Sequence, residues 1–277
     1  MQKIPGKLIA QGILDDLKAR IQTQNPKPKL GVLLVGEDSA SKLYVSLKRK
    51  AAEEIGIATD VKELAADTSD AELIAVIETW NADPSVNGIL IQLPLPDGHD
   101  TDAIIAAMDP KKDVDGFHPQ NVTDLKEGRG TVISPLHEAV LRLINAAEVA
   151  PNHAFVVIYA NSDTFSQPLD YLLRKAGASV TVTDAKHKDD KLTREADVVV
   201  TAVGQPKFLT SNGVRNGSVV IDIGINTLPD GKICGDFDSA GSAELEGWYT
   251  PVPGGVGPMT VALLLKNVVE AADGKNL

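Results

Sequence analysis

The chain has 277 residues, 43% of them hydrophobic, with 38 acidic against 27 basic side chains and a net charge of -11. That length supports a sizeable core and about two domains, while the acidic balance repels polyanions, so neither nucleic acid nor an anionic membrane surface is an expected partner. Apolar runs such as residues 198–203 and 261–265 fall far short of the roughly 20 residues that span a bilayer, the N-terminus lacks a signal-peptide core, and one cysteine, Cys234, cannot form an internal disulfide, which together point to the cytoplasm.

Short β-branched runs alternate with longer amphipathic stretches, the signature of βαβ units around a largely parallel sheet. In the first half, residues 30–35 read as a buried strand, 41–55 as a helix ending near Gly56, and 57–63 as the next strand. A helix over 70–81 follows, then a strand over 88–93 closed by Pro94 and Pro96. Residues 135–147 read as a helix capped by Ser134. In the second half, strands are expected over 154–159, 179–183, 196–203 and 218–223, with a helix over 167–176 ended by Gly177. A last helix, 258–272, returns the chain to the first domain. The expected architecture is therefore α/β in two domains. One comprises 1–134 plus 258–277; the other is a Rossmann-like dinucleotide-binding domain over 135–257. Two helices bridge them, with a cleft between.

Four side chains of the first domain carry possible chemistry. Tyr44 and Lys48 lie four residues apart and share a helix face; spacing alone leaves open an ordinary surface lysine beside a half-buried tyrosine. Gln92 sits at the carboxyl end of an apolar strand, where α/β proteins bind ligands and where an unpaired amide costs roughly 1–3 kcal/mol. Asp113 and Asp115 precede Gly116 at alternate positions, a pattern that also serves in plain turns. Further on, the run Pro251-Val252-Pro253-Gly254-Gly255-Val256-Gly257-Pro258 mixes prolines and glycines in a way that imposes a defined turn open to a ligand.

These pieces are collinear with a known pattern. Residues 35–41 with Tyr44, Val45 and Lys48, then 88–96, 112–119, 221–226 and 251–260, resemble the bifunctional methylenetetrahydrofolate dehydrogenase/methenyltetrahydrofolate cyclohydrolase family over almost the whole chain. The resemblance implies a one-carbon folate enzyme with a nicotinamide cofactor, NADP or NAD. It implies catalytic roles for Lys48, Gln92 and Tyr44, and folate contacts from Tyr44, Asp115, Pro253, Gly254 and Gly255. Cofactor contacts fall on Ala160, Asn161, Ser162, Asp184, Ile225 and Thr260. It also implies a homodimer paired through the second domain and a link to purine biosynthesis; no metal is expected, because no His/Cys/Asp cluster has ligand spacing. A free lysine, with a pKa near 10.4, needs tuning toward roughly 7–8 to transfer protons near neutrality.

The match breaks at the cofactor fingerprint. Relatives read Gly, a variable residue often Arg, Ser, two variable positions, Val, Gly, any residue, Pro; this chain has Ala160-Asn161-Ser162-Asp163-Thr164-Phe165-Ser166-Gln167-Pro168. Both glycines are replaced, so Ala160 and Ser166 are expected to take up space near a pyrophosphate, with Phe165 crowding it and Asp163 adding negative charge. After the next strand, where His-Ser is common in the family, stands Asp184-Ala185. Asp184 lies near the spacing, about 20 residues on, at which an acidic residue bonds a ribose 2′-hydroxyl. Ile133 also replaces a family cysteine. Three outcomes stay open: NAD in place of NADP, weak binding of either, or a cyclohydrolase that has lost the dehydrogenase. A generic Rossmann dehydrogenase and a non-catalytic folate-binding relative are the outside readings.

Overall fold

The structure is a computed structural model that describes residues 1–130 and 132–274. The chain forms two compact units: Ala10–Pro135 with the described chain from Val261 onward, and Met1–Ile9 with Leu136–Thr260. Thr131 and residues 275–277, within the span expected for the first domain, lie outside the described residues.

The unit built around Ala10–Pro135 has a parallel three-stranded sheet in the order β3-β2-β4, from β2 (Lys29–Val35), β3 (Ala58–Leu64) and β4 (Gly88–Ile91). Strand β2 is central, and every residue from Leu30 to Val35 is buried, which is why its sequence is a continuous apolar run. Its alternate residues serve two cores. Leu30, Val32 and Leu34 pack with Val45 and Ile55 of α2 (Ser39–Ile55) and with Leu264 and Val268 of α9 (Val256–Ala272). Leu33 and Val35 pack on the other face with Leu73, Ile77 and Trp80 of α3 (Asp70–Ala82). Asp38 caps α2 by accepting the Ser41 amide at 2.8 Å, and Gly56, at φ 96°, ends it. A reciprocal Ser69–Glu72 capping box starts α3.

Helices α1 (Gly6–Gln22), α4 (Thr101–Ala106) and α5 (Pro119–Lys126) have no counterpart in the sequence reading. Helices α4 and α5, of six and eight residues, are too short for a 3.6-residue period to register. Helix α1 contributes only a narrow buried stripe at Ala10, Leu17 and Ile21.

The second unit is a parallel six-stranded sheet ordered β1-β13-β9-β7-β5-β6. Its strands are β1 (Gln2–Lys3), β5 (Phe155–Ala160), β6 (Ser179–Thr183), β7 (Val198–Ala202), β9 (Val219–Asp222) and β13 (Trp248–Tyr249). The N-terminal residues, expected in the first domain, belong here because β1 adds to the sheet edge, pairing Gln2 with Trp248 and Lys3 with Tyr249. Short pairs β8 (Leu209–Thr210) with β12 (Phe237–Asp238), and β10 (Asn226–Thr227) with β11 (Ile233–Cys234), complete the strands. Helices α6 (Pro135–Ala146), α7 (Asp163–Lys175) and α8 (Asp190–Glu195) accompany them.

From β5 the chain steps to β6 on one side and to β7 on the other, which makes the β5/β7 boundary the topological switch point of a doubly wound sheet. Helix α7 begins at Asp163, four residues before the expected Gln167, and carries Pro168 inside it. Helix α9 begins at Val256 rather than Pro258. Ser134, expected to cap α6, instead has a buried hydroxyl with no hydrogen-bond partner among the described residues. A Cβ on Gly116 would lie 2.9 Å from its backbone nitrogen, so that turn packs against it too closely for any residue larger than glycine.

Helix and sheet approach closely at Gly31, where an added Cβ would stand 2.8 Å from the buried Trp80 ring. Trp80 is held there by its Nε1 donating to Asp60 Oδ2 at 2.9 Å. Gly31→Ala therefore overpacks this layer, and urea unfolding is expected to show a loss of roughly 1–3 kcal/mol.

Candidate active site

Tyr44 and Lys48 project from α2, Gln92 follows the last residue of β4, and Asp115 lies in the segment after Lys112. That segment runs beside β4: the Ile89 amide donates to Lys112 O at 2.7 Å, and Ile89 bridges Asp113 in parallel. All four side chains belong to the same unit. Lys48 Nζ donates to Gln92 Oε1 at 3.1 Å, and Gln92 Nε2 donates to Leu93 O at 2.7 Å. Both ends of the buried amide are thus engaged, one of them on the lysine.

Lys48 is half-buried, and burial pushes its ammonium below the ordinary lysine range, against the opposing pull of the Asp115 charge. Burial raises Asp115 to about 6; Lys48 opposes that shift and Asp113 adds to it. Among the described residues, the Asp115 carboxylate has no hydrogen-bond donor. Tyr44 is half-buried, and burial raises its phenol.

The paired aspartates divide their work. Asp113 is fully buried and accepts the amides of Asp115, Gly116 and His118 at 3.1, 2.8 and 2.9 Å, and Asn121 Nδ2 at 2.9 Å. It builds the turn, and Asp115 is what the turn presents.

The remaining expected residues lie in the other unit. Gly254 has φ 106°, and Gly255 could take no Cβ, which would fall 2.7 Å from Pro251 O. The turn from Pro251 to Gly255 is therefore defined, as its composition requires. Lys7 N donates to Gly254 O at 3.0 Å, pinning it to the N-terminal segment. Thr260 spends its hydroxyl on Gly257 O at 2.7 Å, and Ile225 is exposed.

At the switch point, Asn161 Nδ2 donates to Val203 O at 3.0 Å, and Asn161 Oδ1 accepts the Ala185 amide at 3.4 Å. One amide thereby ties the turn after β5 to the turns after β7 and β6. Ala160 and Ser166, which replace the two fingerprint glycines, are both buried. Neither has a positive φ, so neither position needs glycine's left-handed freedom. The Phe165 ring stacks on buried His137 with centroids 5.4 Å apart. Ser162 starts α7 without a side-chain cap, which leaves the first amides of the helix for a ligand. These residues fit a dinucleotide: the α7 amides would face its pyrophosphate and Asp184 its ribose.

Two residues with a role here escaped the sequence reading. Asp222 and Asp236 are buried at the carboxyl ends of the sheet. Asp222 accepts the amides of Gly224, Asp236 and Phe237. Asp236 accepts those of Val203, Gly204 and Gln205, and Asn226 Nδ2. A Cβ on Gly224 or Gly235 would fall 2.2 or 1.9 Å from these carboxylates. The pair fixes the loops after β7 and β9. The available signal was an aspartate ending an apolar strand, with glycines nearby.

Fold and site define a class: a two-unit α/β protein with a dinucleotide-type sheet and a separate lysine–amide–carboxylate cluster. Two family models match, the tetrahydrofolate dehydrogenase/cyclohydrolase catalytic domain over residues 4–115 and its NAD(P)-binding domain over 135–276. The bifunctional protein FolD of Dechloromonas aromatica is 43% identical over 99% of this chain and 98% of its own. A crystal structure of the bifunctional FolD methylenetetrahydrofolate dehydrogenase/cyclohydrolase of Campylobacter jejuni superposes with a TM-score of 0.95 at 40% identity, covering 99% of each chain. The Trypanosoma brucei enzyme, complexed with NADP cofactor and inhibitor, superposes at 0.92 with 29% identity, covering 98% of this chain and 97% of its own. The chain belongs to the tetrahydrofolate dehydrogenase/cyclohydrolase family.

His137 gives this unit a measurable pH signature. Its Nε2 bonds Phe165 O at 2.9 Å, its Nδ1 is buried without a partner among the described residues, and burial lowers its pKa to about 4. A depressed histidine stabilises above its unfolded pKa of about 6.5, and that stability is lost as pH falls toward 4. His137→Leu, compared with the parent by urea unfolding at pH 7.5 and pH 4.5, is expected to remove roughly 3 kcal/mol of pH dependence.

Proposed function

We propose that this protein oxidises 5,10-methylenetetrahydrofolate with a nicotinamide dinucleotide and hydrolyses the resulting 5,10-methenyltetrahydrofolate to 10-formyltetrahydrofolate. The observation that carries the reading is the Lys48–Gln92 bond beside the Asp115 charge, in a chain whose family is defined by both activities.

Hydrolysis requires a proton to leave the attacking water as the carbon–oxygen bond forms, and a proton to reach a ring nitrogen as the carbon–nitrogen bond breaks. Burial shifts Lys48 toward its neutral amine, which can take the first proton and return it to the nitrogen, while the second water proton leaves to solvent as the added hydroxyl becomes the formyl carbonyl. Gln92 Oε1 accepts from that amine and aims it. Asp115, ionised above about pH 6, can accept N–H groups of the pterin, and Tyr44 can flank it. In the oxidation, the dinucleotide supplies the hydride acceptor. The chain's contribution there is positioning: the Pro251–Gly255 turn and the α7 amides hold the two partners. Because Ala160 and Ser166 are buried, both steps are retained in this reading.

Homodimeric assembly, cytoplasmic residence and supply of a formyl carrier to purine biosynthesis belong to the same proposal. The family and the net charge of -11 support them, and among the described residues no helix is long and apolar enough to cross a membrane.

Lys48→Met is expected to reduce methenyltetrahydrofolate hydrolysis, followed by the loss of its absorbance, by about 100-fold or more. Hydrolysis unchanged in the variant removes Lys48 from the mechanism. The pH profile of kcat/KM should fall below about pH 6 as Asp115 takes up a proton. Asp115→Asn should weaken substrate binding and flatten that limb.

A further inference from the structure

We propose that the dehydrogenase step of this chain takes NAD in preference to NADP, with the Asp184 carboxylate as the group that reads the adenosine ribose. The inference rests on the dehydrogenase reading above and adds which dinucleotide is used and which residue selects it.

Asp184 directly follows β6, the strand beside β5 at the edge of the sheet, where an acidic side chain can accept the 2′-hydroxyl of a ribose. Its placement is built. Asp184 Oδ1 accepts the amides of Lys186 and His187 at 2.9 and 3.0 Å, and faces His187 Nδ1 at 2.7 Å. Asp184 Oδ2 has no partner among the described residues and the side chain is 41% exposed, so the turn engages one carboxylate oxygen and leaves the other available. These bonds, led by that from His187, hold the carboxyl below its ordinary range and keep it charged. An available, ionised oxygen accepts a hydroxyl and repels a phosphate.

The neighbours sharpen the choice. Asn161, between this turn and the switch point, is neutral, and its amide is spent on Val203 O and the Ala185 amide. Lys188, just beyond the turn, is paired with Asp190 at 3.1 Å, and its Nζ lies 5.3 Å from the Phe208 ring centroid. Lys186 is the cation of the turn with no ion pair among the described residues. It is the one group that would favour a phosphorylated ribose. The balance favours Asp184 because its carboxylate is held by the backbone, whereas a lysine reaches a phosphate on a flexible stem.

The test is a calorimetric titration of the purified full chain with NAD and with NADP, at one pH and one salt concentration, alongside Asp184→Ser, Asp184→Asn and Lys186→Ala. The chain itself should bind NAD at least about tenfold more tightly than NADP. Asp184→Asn keeps an acceptor for the turn amides while removing the charge, so it should narrow the ratio without unfolding the turn; Asp184→Ser should narrow or reverse it. Lys186→Ala should leave the preference for NAD in place. NADP bound as tightly as NAD, or a ratio unmoved in both Asp184 variants, overturns the proposal while leaving the dehydrogenase reading intact. A chain that hydrolyses methenyltetrahydrofolate and binds neither dinucleotide overturns the dehydrogenase reading as well.

Discussion

A half-buried ammonium that has, among the described residues, one amide oxygen for a partner and one carboxylate for a counter-charge is the interaction on which the proposed chemistry depends. Removing Lys48 from water disfavours its charged form, and Asp115 restores only part of what is lost. The balance holds only if helix α2, the end of β4 and the 112–118 turn keep their positions. They do so through apolar packing on both faces of β2 and through Asp113, whose buried carboxylate is filled by main-chain and amide donors. Reactivity in one side chain is maintained by satisfied polar groups around it.

Carboxylates are used in two distinct ways throughout the chain. Asp113, Asp222 and Asp236 are buried and surrounded by N–H groups, so they act as clamps that fix loop backbones at the carboxyl ends of the strands. Asp115 and Asp184 are held by neighbouring turns with at least one oxygen left for something else. The glycines at 116, 224 and 235 mark where backbone or a clamp approaches too closely for any side chain. They follow from the carboxylates as much as from backbone conformation.

The cofactor loop is the clearest case of a sequence feature whose meaning the fold changes. Loss of two glycines reads as obstruction, because glycine is the residue that permits close approach. In the fold, Ala160 and Ser166 are buried and neither has a positive φ, and the selectivity proposed above rests on the end of the next strand. Asp184 was visible in the sequence as an acid at the right distance. Its division into one engaged and one available oxygen was not, since that depends on the 185–187 turn.

The sequence by itself determined the strands and main helices, because burial on both faces of a parallel sheet requires continuous apolar runs, and helices alternating with them require amphipathic stretches. It also determined the family, through motifs spread along the whole chain. It missed α1, α4, α5 and α8, and it placed the first residues in the wrong unit, because a two-residue edge strand such as β1 has no pattern of its own and exists only where β13 offers it a partner. Tertiary structure alone decided that Gln92 holds Lys48, that Asp113 and Asp115 have opposite duties, and that Asp222 and Asp236 are clamps. Each depends on which donors lie within about 3 Å of a side chain, a distance that spacing along the chain does not encode.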